Sequence, residues 1–322
     1  MAETTEPAML DVPVIIIAFD RPDYLDKLCA SLLTQRRVAV NPANVHLVQD
    51  GGWSPRTKKW RGEEAMIQAS EATFRRHFPQ GKVWKAEENL GIAFNIRRAE
   101  LLAFEELDAE LAYFFEDDLE PGPYYLWAME KLRGMIATLP GPSGGVGYFA
   151  AYGEHHVDHP GPEVAYVPME HHWGFGLSRS AWRRIDGQLQ PFYRILRGRD
   201  YKLRDHRRIL DLYAPRTHAV GATSQDAAKA LACIEMGLAK VMTSVNFARY
   251  IGEKGQSFSA ESFVRTGFDR MKINPRDDYV FPPLTAERVA WLAKYHRDYA
   301  RRYRAEKFDA VIAAKPARLP LR

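Results

Sequence analysis

The sequence predicts an α/β protein with a mostly parallel, doubly wound sheet. Short apolar runs such as 12–19 and 111–115 alternate with stretches of helical periodicity through the first 140 residues. Continuous apolar runs are typical of strands buried on both faces, and strands that alternate with helices favour a parallel sheet. Polar side chains directly follow three of these strands, at the edge where open α/β sheets bind ligands.

The first half of the chain reads as four strand–helix units in order. The predicted strands are 12–19, 45–48, 83–84 and 111–115, and the predicted helices are 22–35, 62–77, 92–106 and 124–138. Pro22 suits the first turn of a helix, and Leu25, Leu28 and Leu32 form its apolar stripe. Pro13 falls at the start of the first strand, where the missing N–H is tolerated.

A stretch rich in glycine and proline, 141–147, predicts a boundary before the second half. Beyond it we expect strands at 146–151, 164–167 and 239–245, helices at 178–185, 225–236 and 285–303, and an irregular basic insertion at 194–216. The predicted units are a flexible leader at 1–11, a ligand-binding half at 12–140, a second half at 141–284, and a basic helix and tail at 285–322.

Composition and missing motifs exclude several classes of protein. Hydrophobic residues make up 46% of the chain, and no apolar run reaches the roughly 20 residues of a membrane span. The two cysteines suggest buried thiols in a reducing compartment rather than a disulfide framework. No G-x-G-x-x-G, Gly-Lys-Ser/Thr or Gly-x-Ser-x-Gly motif follows a predicted strand. We therefore expect a soluble, cytoplasmic protein without a dinucleotide site, P-loop or serine nucleophile.

Charged side chains cluster at the predicted strand ends: Asp20 and Arg21, then Asp50, then the acidic triplet 116–118. Three adjacent carboxylates repel one another, and Mn²⁺ or Mg²⁺ with substrate phosphates suits such a group. The alternative is an acidic turn that caps the following helix, with Asp50 in an ordinary tight turn. The convergence of the three strand ends at one sheet edge favours a ligand site.

The motifs at these strand ends resemble those of inverting GT-A glycosyltransferases, most closely the α-mannoside β-1,2-N-acetylglucosaminyltransferase I group. The resembling segments are 12–21, 48–51 and 115–120, with weaker matches at 174–176, Asp226 and 251–257. The resemblance implies a GT-A-type sheet with an appended acceptor-side subdomain. It also implies metal-dependent, inverting transfer of a sugar from a nucleotide diphosphate, with UDP-sugars such as UDP-GlcNAc as the expected donors, to a hydroxyl of a glycan or other acceptor.

The same resemblance assigns roles to individual residues. Asp118 would bind the metal, and Asp226 would be the catalytic base. The donor nucleotide or its sugar would be contacted by Arg21, Asp50, Asn95, Glu116, Asp117 and Ser257, with Asp50 on the uracil. If Asp226 does not serve as the base, Glu170, Asp205 and Asp211 are the alternatives. The segments 56–65 and 194–216 depart from the family pattern, so acceptor identity does not carry over.

Two other functions stay open at this stage. A sugar-1-phosphate nucleotidyltransferase also uses an α/β sheet with acidic residues, but it needs a Gly-rich basic loop after the first strand, where Asp20-Arg21-Pro22 stands. A non-catalytic carbohydrate-binding protein could retain the same fold. Donor hydrolysis by the purified protein would separate this last function from an enzyme.

Histidines and the basic tail raise two further questions. Five histidines surround a Gly/Pro loop: His155, His156, His159, His171 and His172. No two of them form a helical pair that would support a zinc site. They are therefore interpreted as histidines of the surface or the acceptor cleft rather than as zinc ligands. Trp173 is predicted to stack on a sugar ring.

From residue 291 onward the chain contains nine Lys/Arg residues and three acidic residues. That tail either packs on the domain or contacts the inner face of a membrane peripherally, and it has no recognisable nucleic-acid module.

Overall fold

The computed structural model describes residues 6–154, 161–254 and 259–315. Its centre is an eight-stranded sheet. In chain order the strands are β1 (Val14–Ala18), β2 (Val45–Gln49), β3 (Lys82–Lys85), β4 (Leu111–Glu116), β5 (Val146–Ala150), β6 (Tyr166–Pro168), β7 (Gly174–Ser178) and β8 (Ala239–Thr243).

The spatial order of the strands is β6-β8-β5-β7-β4-β1-β2-β3. Strands β1 to β4 are mutually parallel, and β8 is parallel to β5. Strand β7 runs antiparallel between β4 and β5, and β6 runs antiparallel at the edge. The predicted α/β class with a mostly parallel sheet is therefore confirmed. The second half of the chain extends the same sheet, and the domain boundaries stay predictions.

Helices cover both faces of the sheet. Their bounds are α1 (Pro22–Leu33), α2 (Glu64–His77), α3 (Ile92–Leu101), α4 (Tyr125–Ala137), α5 (Arg179–Leu196), α6 (His206–Tyr213), α7 (Gln225–Glu235), α8 (Ala260–Arg265), α9 (Ala286–Glu306) and α10 (Phe308–Ala313). Right-handed crossovers place α1 and α2 on one face and α3 on the other. Helix α1 packs on α2, whereas α5 packs on α7 and is joined to α3 by Arg97 and Asp186, 2.9 Å apart.

The apolar runs form the two central strands as predicted. Every residue of β1 is buried, and the β4 residues from Ala112 to Phe115 are completely buried. Ile15 is opposite Phe114 in the parallel ladder, and Ile17 is opposite Glu116. This register places the end of β4 beside the end of β1. The polar residues that follow the two strands therefore meet at one edge.

Strand β7 is the main element that the sequence does not predict. Its Gly174-Phe175-Gly176 reads as a loop, since glycine lacks a side chain to pack and weakens strands. Here the glycines are required by close packing: a Cβ at Gly176 would lie 2.2 Å from the Phe149 ring. At Gly174 it would lie 2.4 Å from a Leu119 methyl. The two glycines let aromatic and aliphatic side chains approach the backbone.

Several other predictions are corrected. Ala8–Met9, within the predicted leader, pairs in parallel with Val38–Ala39. The basic insertion 194–216 is not irregular, because it holds the end of α5, a 3-10 turn at Tyr201–Leu203 and α6. Helix α6 buries Ile209, Leu210 and Tyr213 on one face. Sequence periodicity places Leu292 and Tyr299 on one side of α9, but Tyr299 is 52% exposed, whereas Leu292 is buried.

Candidate functional site

The acidic triplet lies at the carboxyl end of β4, and Arg21 reaches it from the end of β1. Arg21 Nε lies 3.2 Å from Asp117 Oδ2, a second guanidinium nitrogen contacts Asp117 Oδ1, and Nη1 lies 2.8 Å from Asp118 Oδ2. Asp117 and Asp118 are nearly fully buried. Their charges raise the pKa of Arg21 although burial alone would lower it. The structure thus brings together four predicted site residues, with the arginine paired to two of the acids.

Negative charge at the triplet exceeds what Arg21 balances. Burial, together with the carboxylates of Asp118 and Asp226, raises the pKa of Glu116 well above its usual range. Burial also raises the pKa of Asp117 to about 6, against the lowering effect of Arg21. Asp118 Oδ1 is buried and has no hydrogen-bond partner among the described residues. A buried carboxylate oxygen without a partner is costly, so the cluster has the character of a site for a cation.

A metal ion at this site would depend on substrate oxygens for most of its ligands. Within 6–154, 161–254 and 259–315, no three Asp, Glu, His or Cys side chains converge as metal ligands. Mg²⁺ and Mn²⁺ are commonly held by one or two carboxylates plus substrate phosphates. Asp118 with its unpartnered Oδ1, and Glu116 beside it, therefore fit such a site. Metal binding itself stays a prediction.

A short two-stranded ladder lies next to the acidic triplet. Leu119–Pro121 pairs antiparallel with Ala248–Tyr250, and the N–H of Ile251 donates to the carbonyl of Asp118 at 2.8 Å. Gly252 lies against the carboxylate, since a Cβ there would be 2.7 Å from Asp118 Oδ2. The segment 251–254 therefore borders the acids, as its weak family match suggests. Ser257, the predicted diphosphate contact, lies outside the described residues.

Asp226 enters the same site from the first turn of α7, whose N-cap is Ser224. Its side chain is 41% exposed, but Oδ1 is buried and lies 3.2 Å from His172 Nδ1. Burial would raise the pKa of Asp226, yet contact with His172 and the charge of Lys229 lower it to about 2. Two neighbouring carboxyls, Glu116 and Asp226, thus have pKa values shifted in opposite directions. This pattern marks pairs with distinct acid–base roles.

Asp50 does not face an open pocket. Its Oδ1 accepts from the N–H groups of Gly51 and Leu90, at 2.9 and 2.8 Å, and its Oδ2 accepts from Gly91 N and Asn89 Nδ2, at 3.0 and 3.1 Å. Four donors match the roughly four lone-pair sites of a carboxylate. Burial raises the pKa of Asp50 to about 6. Through these hydrogen bonds Asp50 stabilises the turn before α3. Its contact with uracil stays a prediction.

Asn95 likewise has a structural role. It is 2% exposed, its Nδ2 donates to the carbonyl of Val48 at 3.2 Å, and its Oδ1 accepts from Arg98 Nη1 at 3.1 Å. These bonds fasten α3 to the end of β2. The contact of Asn95 with a nucleotide base stays a prediction.

The prediction for Trp173 is wrong. The indole is 7% exposed and stacks between the rings of His171 and Tyr250, with both centroid distances 4.2 Å and interplanar angles of 9° and 11°. Both faces are covered by protein, so no sugar ring can stack there. Of the predicted histidine cluster, His155, His156 and His159 lie outside the described residues, and His172 is buried beside Asp226.

The basic insertion supplies a residue that sequence reasoning missed. Tyr201 packs on Gly91, where a Cβ would lie 2.7 Å from that of the tyrosine. Its hydroxyl accepts from the N–H of Gln225 at 3.0 Å, beside Asp226. Tyr201 therefore links the loop before α3 to the start of α7. A lone tyrosine among arginines carries no sequence signal for such a position.

The alternative bases are engaged elsewhere or exposed. Asp205 caps α6 by accepting from the N–H of Arg208 at 3.0 Å, and Asp211 pairs with Arg207 at 2.9 Å. Glu170 is exposed. Of these candidates and Asp226, Asp226 is the one whose charge acts on the triplet residue Glu116.

No protein family profile matches the chain, and no curated protein matches it. Among solved structures, it is similar to S. aureus TarS 1–349 in complex with UDP-GlcNAc, with 16% identity over 56% of this chain and 48% of that one, TM-score 0.34. It is also similar to a galactosyltransferase LgtC in complex with donor and acceptor sugar analogs, with 14% identity over 54% and 60%, TM-score 0.31.

A cytidylyltransferase from Leptospira borgpetersenii serovar Hardjo-bovis is similar as well, with 11% identity over 55% of this chain and 64% of that one, TM-score 0.33. The chain therefore spans less than two thirds of the length of each of these structures. Likeness at this level defines neither a family nor an activity. None of the helices in the described ranges has both the length and the apolar character that crossing a bilayer requires.

Proposed function

We propose that the protein is a metal-dependent, inverting glycosyltransferase that moves a sugar from a nucleotide diphosphate, with UDP-sugars such as UDP-GlcNAc as donors, to an acceptor hydroxyl. The observation that carries the proposal is the meeting of Arg21, the triplet 116–118 and Asp226 at the carboxyl edge of the sheet. Ligands bind outside the carboxyl ends of strands in open α/β sheets. Buried acids at this edge favour a phosphate ligand that binds together with a cation.

The residues of the site would have different roles in such a reaction. A bound Mn²⁺ or Mg²⁺ would neutralise charge that develops on the leaving diphosphate. Asp118 and Glu116 would hold the ion, and Arg21 keeps Asp117 and Asp118 oriented. Asp226 would take the proton of the acceptor hydroxyl at Oδ2, the carboxylate oxygen left when Oδ1 faces His172. Because the ion acts on the leaving group, no protein acid is needed there.

One structural feature weighs against the nucleotidyltransferase alternative. Helix α1 begins at Pro22, directly after Asp20 and Arg21, so no long loop follows β1. A triphosphate-binding loop would require more backbone N–H groups at this point. This alternative and the non-catalytic sugar-binding protein remain outcomes of the experiment below.

The experiment is a screen of UDP-, GDP- and dTDP-sugars for thermal stabilisation with Mn²⁺, Mg²⁺ or EDTA. Ligand binding to the native state raises stability, by about 2.7 kcal/mol at 100 times Kd. We expect stabilisation by UDP-sugars that EDTA removes, followed by donor turnover with a hydroxyl acceptor. Stabilisation by nucleoside triphosphates with sugar phosphates would favour the nucleotidyltransferase. Binding of sugars without donor turnover would favour the non-catalytic protein.

A further inference from the structure

His172 occupies a closed apolar pocket directly before β7. It is 1% exposed. Its imidazole is nearly perpendicular to the rings of Tyr148 and Phe175, with centroids 4.6 and 5.7 Å away and interplanar angles of 85° and 88°. Edge-to-face contacts on two sides hold the ring plane in one orientation. A buried, oriented histidine without a backbone partner among the described residues calls for a polar partner elsewhere.

That partner is the carboxylate of Asp226. His172 Nδ1 lies 3.2 Å from Asp226 Oδ1 but outside hydrogen-bond geometry, and neither atom has a hydrogen-bond partner within the described ranges. The ring is not yet aligned for a linear bond, as is common for catalytic contacts without a bound substrate. The nearest cation on the same helix is Lys229, and its Nζ donates to Glu100 Oε1 at 2.5 Å. Among the described residues, His172 is thus a polar group placed to orient Asp226.

Burial keeps the imidazole neutral. Burial lowers the pKa of His172 to about 4, and the ammonium groups of Lys240 on β8 and Lys229 on α7 add to this effect, against Asp226. His296 faces the same region from α9. A neutral imidazole carries one N–H. With the proton on Nε2, the Nδ1 lone pair would face a carboxylate oxygen, so the proton belongs on Nδ1.

We propose that His172 is the positioning residue for Asp226: its Nδ1–H donates to Oδ1 and thereby turns Oδ2 towards the acceptor hydroxyl. The inference rests on the proposed transferase function, in which Asp226 is the base. His172 itself touches no substrate. Its effect is to restrict the carboxylate to one rotamer, which is the kind of support that precise catalytic geometry needs.

The kinetic test compares three variants. His172→Leu removes the donor and keeps an apolar side chain of similar size, so we expect kcat to fall about 10- to 100-fold, a part of the full effect of a general base. The KM and calorimetric Kd for the donor should stay within about twofold, a range of less than 0.5 kcal/mol. His172→Asn offers an amide N–H near the Nδ1 position and should recover most of the lost kcat. His46→Leu, at a buried histidine remote from the site, should leave kcat unchanged.

A second measurement reports on the pair without any turnover. Two-bond ¹H–¹⁵N spectra of the histidine rings should show His172 protonated on Nδ1, and Asp226→Asn should shift the proton towards Nε2. A wild-type ring protonated on Nε2 would overturn the inference, as would His172→Leu with wild-type kcat, or His172→Asn as slow as His172→Leu. A wild-type protein that transfers no sugar would overturn the proposed function instead, whatever the ring tautomer.

Discussion

Lys229 and Glu100 form an ion pair inside the protein, with Nζ 2.5 Å from Oε1 and both side chains at most 2% exposed. Lys229 lies on α7, one turn after Asp226, and Glu100 lies on α3. The ammonium also faces the rings of Tyr148 and Phe175, each centroid 5.6 Å away. The pair thus ties the helix that bears Asp226 to the helix that follows the Asp50 turn.

Breaking this pair should be far more costly than removing it. Lys229→Met leaves the Glu100 carboxylate buried without a counter-charge, and we expect a loss of about 3–5 kcal/mol in the free energy of unfolding. The double variant with Glu100→Leu should recover much of that loss. Urea unfolding followed by circular dichroism gives the values. The exposed pair of Arg249 and Glu120 is the control, since Arg249→Met should cost at most about 1 kcal/mol. Equal costs at the two pairs would contradict the assigned burial.

Asp118→Asn should remove metal-dependent donor binding while the protein stays folded. The amide keeps the shape of the side chain but loses the charge that would attract a divalent ion. Mn²⁺-dependent thermal stabilisation by a UDP-sugar is the measurement. Glu120→Gln is the matched control, because this acid two residues later pairs with Arg249 away from the triplet. An Asp118→Asn protein that keeps the Mn²⁺ dependence would exclude Asp118 as a metal ligand.

Asp50→Ala should destabilise the protein more than it changes ligand choice. Removing the carboxylate leaves the buried N–H groups of Leu90 and Gly91 without acceptors, at about 1–3 kcal/mol for each unsatisfied group. We expect the loss in urea unfolding and equal losses of affinity for UDP and for inorganic diphosphate. A loss confined to UDP would instead place Asp50 in the base pocket, as the family resemblance implies.

Acid should destabilise the protein through His46. Its Nδ1 accepts from Trp84 Nε1 at 3.3 Å, and burial with the charge of Lys82 lowers its pKa to about 4. Because the unfolded state takes up this proton near pH 6.5, the stabilisation is complete above pH 6.5 and is lost as the pH falls towards 4. The loss should reach roughly 1–3 kcal/mol.

The test for His46 compares wild type and His46→Gln by urea unfolding at several pH values. Buried His172 and His296 also have lowered pKa values, so the difference between the two proteins isolates the contribution of His46. We expect that difference to shrink between pH 7 and pH 4. A constant difference would mean that His46 does not resist protonation.

The sequence predicts the local part of the fold well. The apolar runs of β1 and β4 and the proline start of α1 are short-range signals, and each appears where it is expected. The meeting of Arg21 with Asp117 follows from parallel pairing of β1 with β4, which buried runs favour.

Long-range packing is what the sequence conceals. Gly174 and Gly176 belong to a central strand, where the side chains of Leu119 and Phe149 occupy the space that a Cβ would need. Trp173 is covered on both faces by rings, and one of them belongs to Tyr250, which is distant in the chain. Such contacts depend on tertiary neighbours, which one-dimensional periodicity does not encode.

The stereochemical prediction concerns Asp226. An inverting transfer needs a base on the face of the sugar opposite the diphosphate, and Asp226 approaches the triplet from α7 rather than from the strand ends. Burial would raise the pKa of Asp226, but contact with His172 and the charge of Lys229 lower it to about 2, so the carboxylate is ionised at neutral pH. The structural alternative is an acid that merely stabilises the start of the helix.

Asp226→Asn distinguishes the two roles because the amide can still contact the helix N-terminus but cannot take a proton. General-base catalysis contributes roughly 10²–10⁴-fold, and we expect turnover to fall by that order with UDP-sugar affinity nearly unchanged. NMR of the product should show the anomeric configuration opposite to that of the donor. Asp211→Asn, an exposed acid paired with Arg207, is the control and should keep normal turnover. Near-normal turnover of Asp226→Asn would refute its role as base, and a product with retained configuration would refute the inverting mechanism.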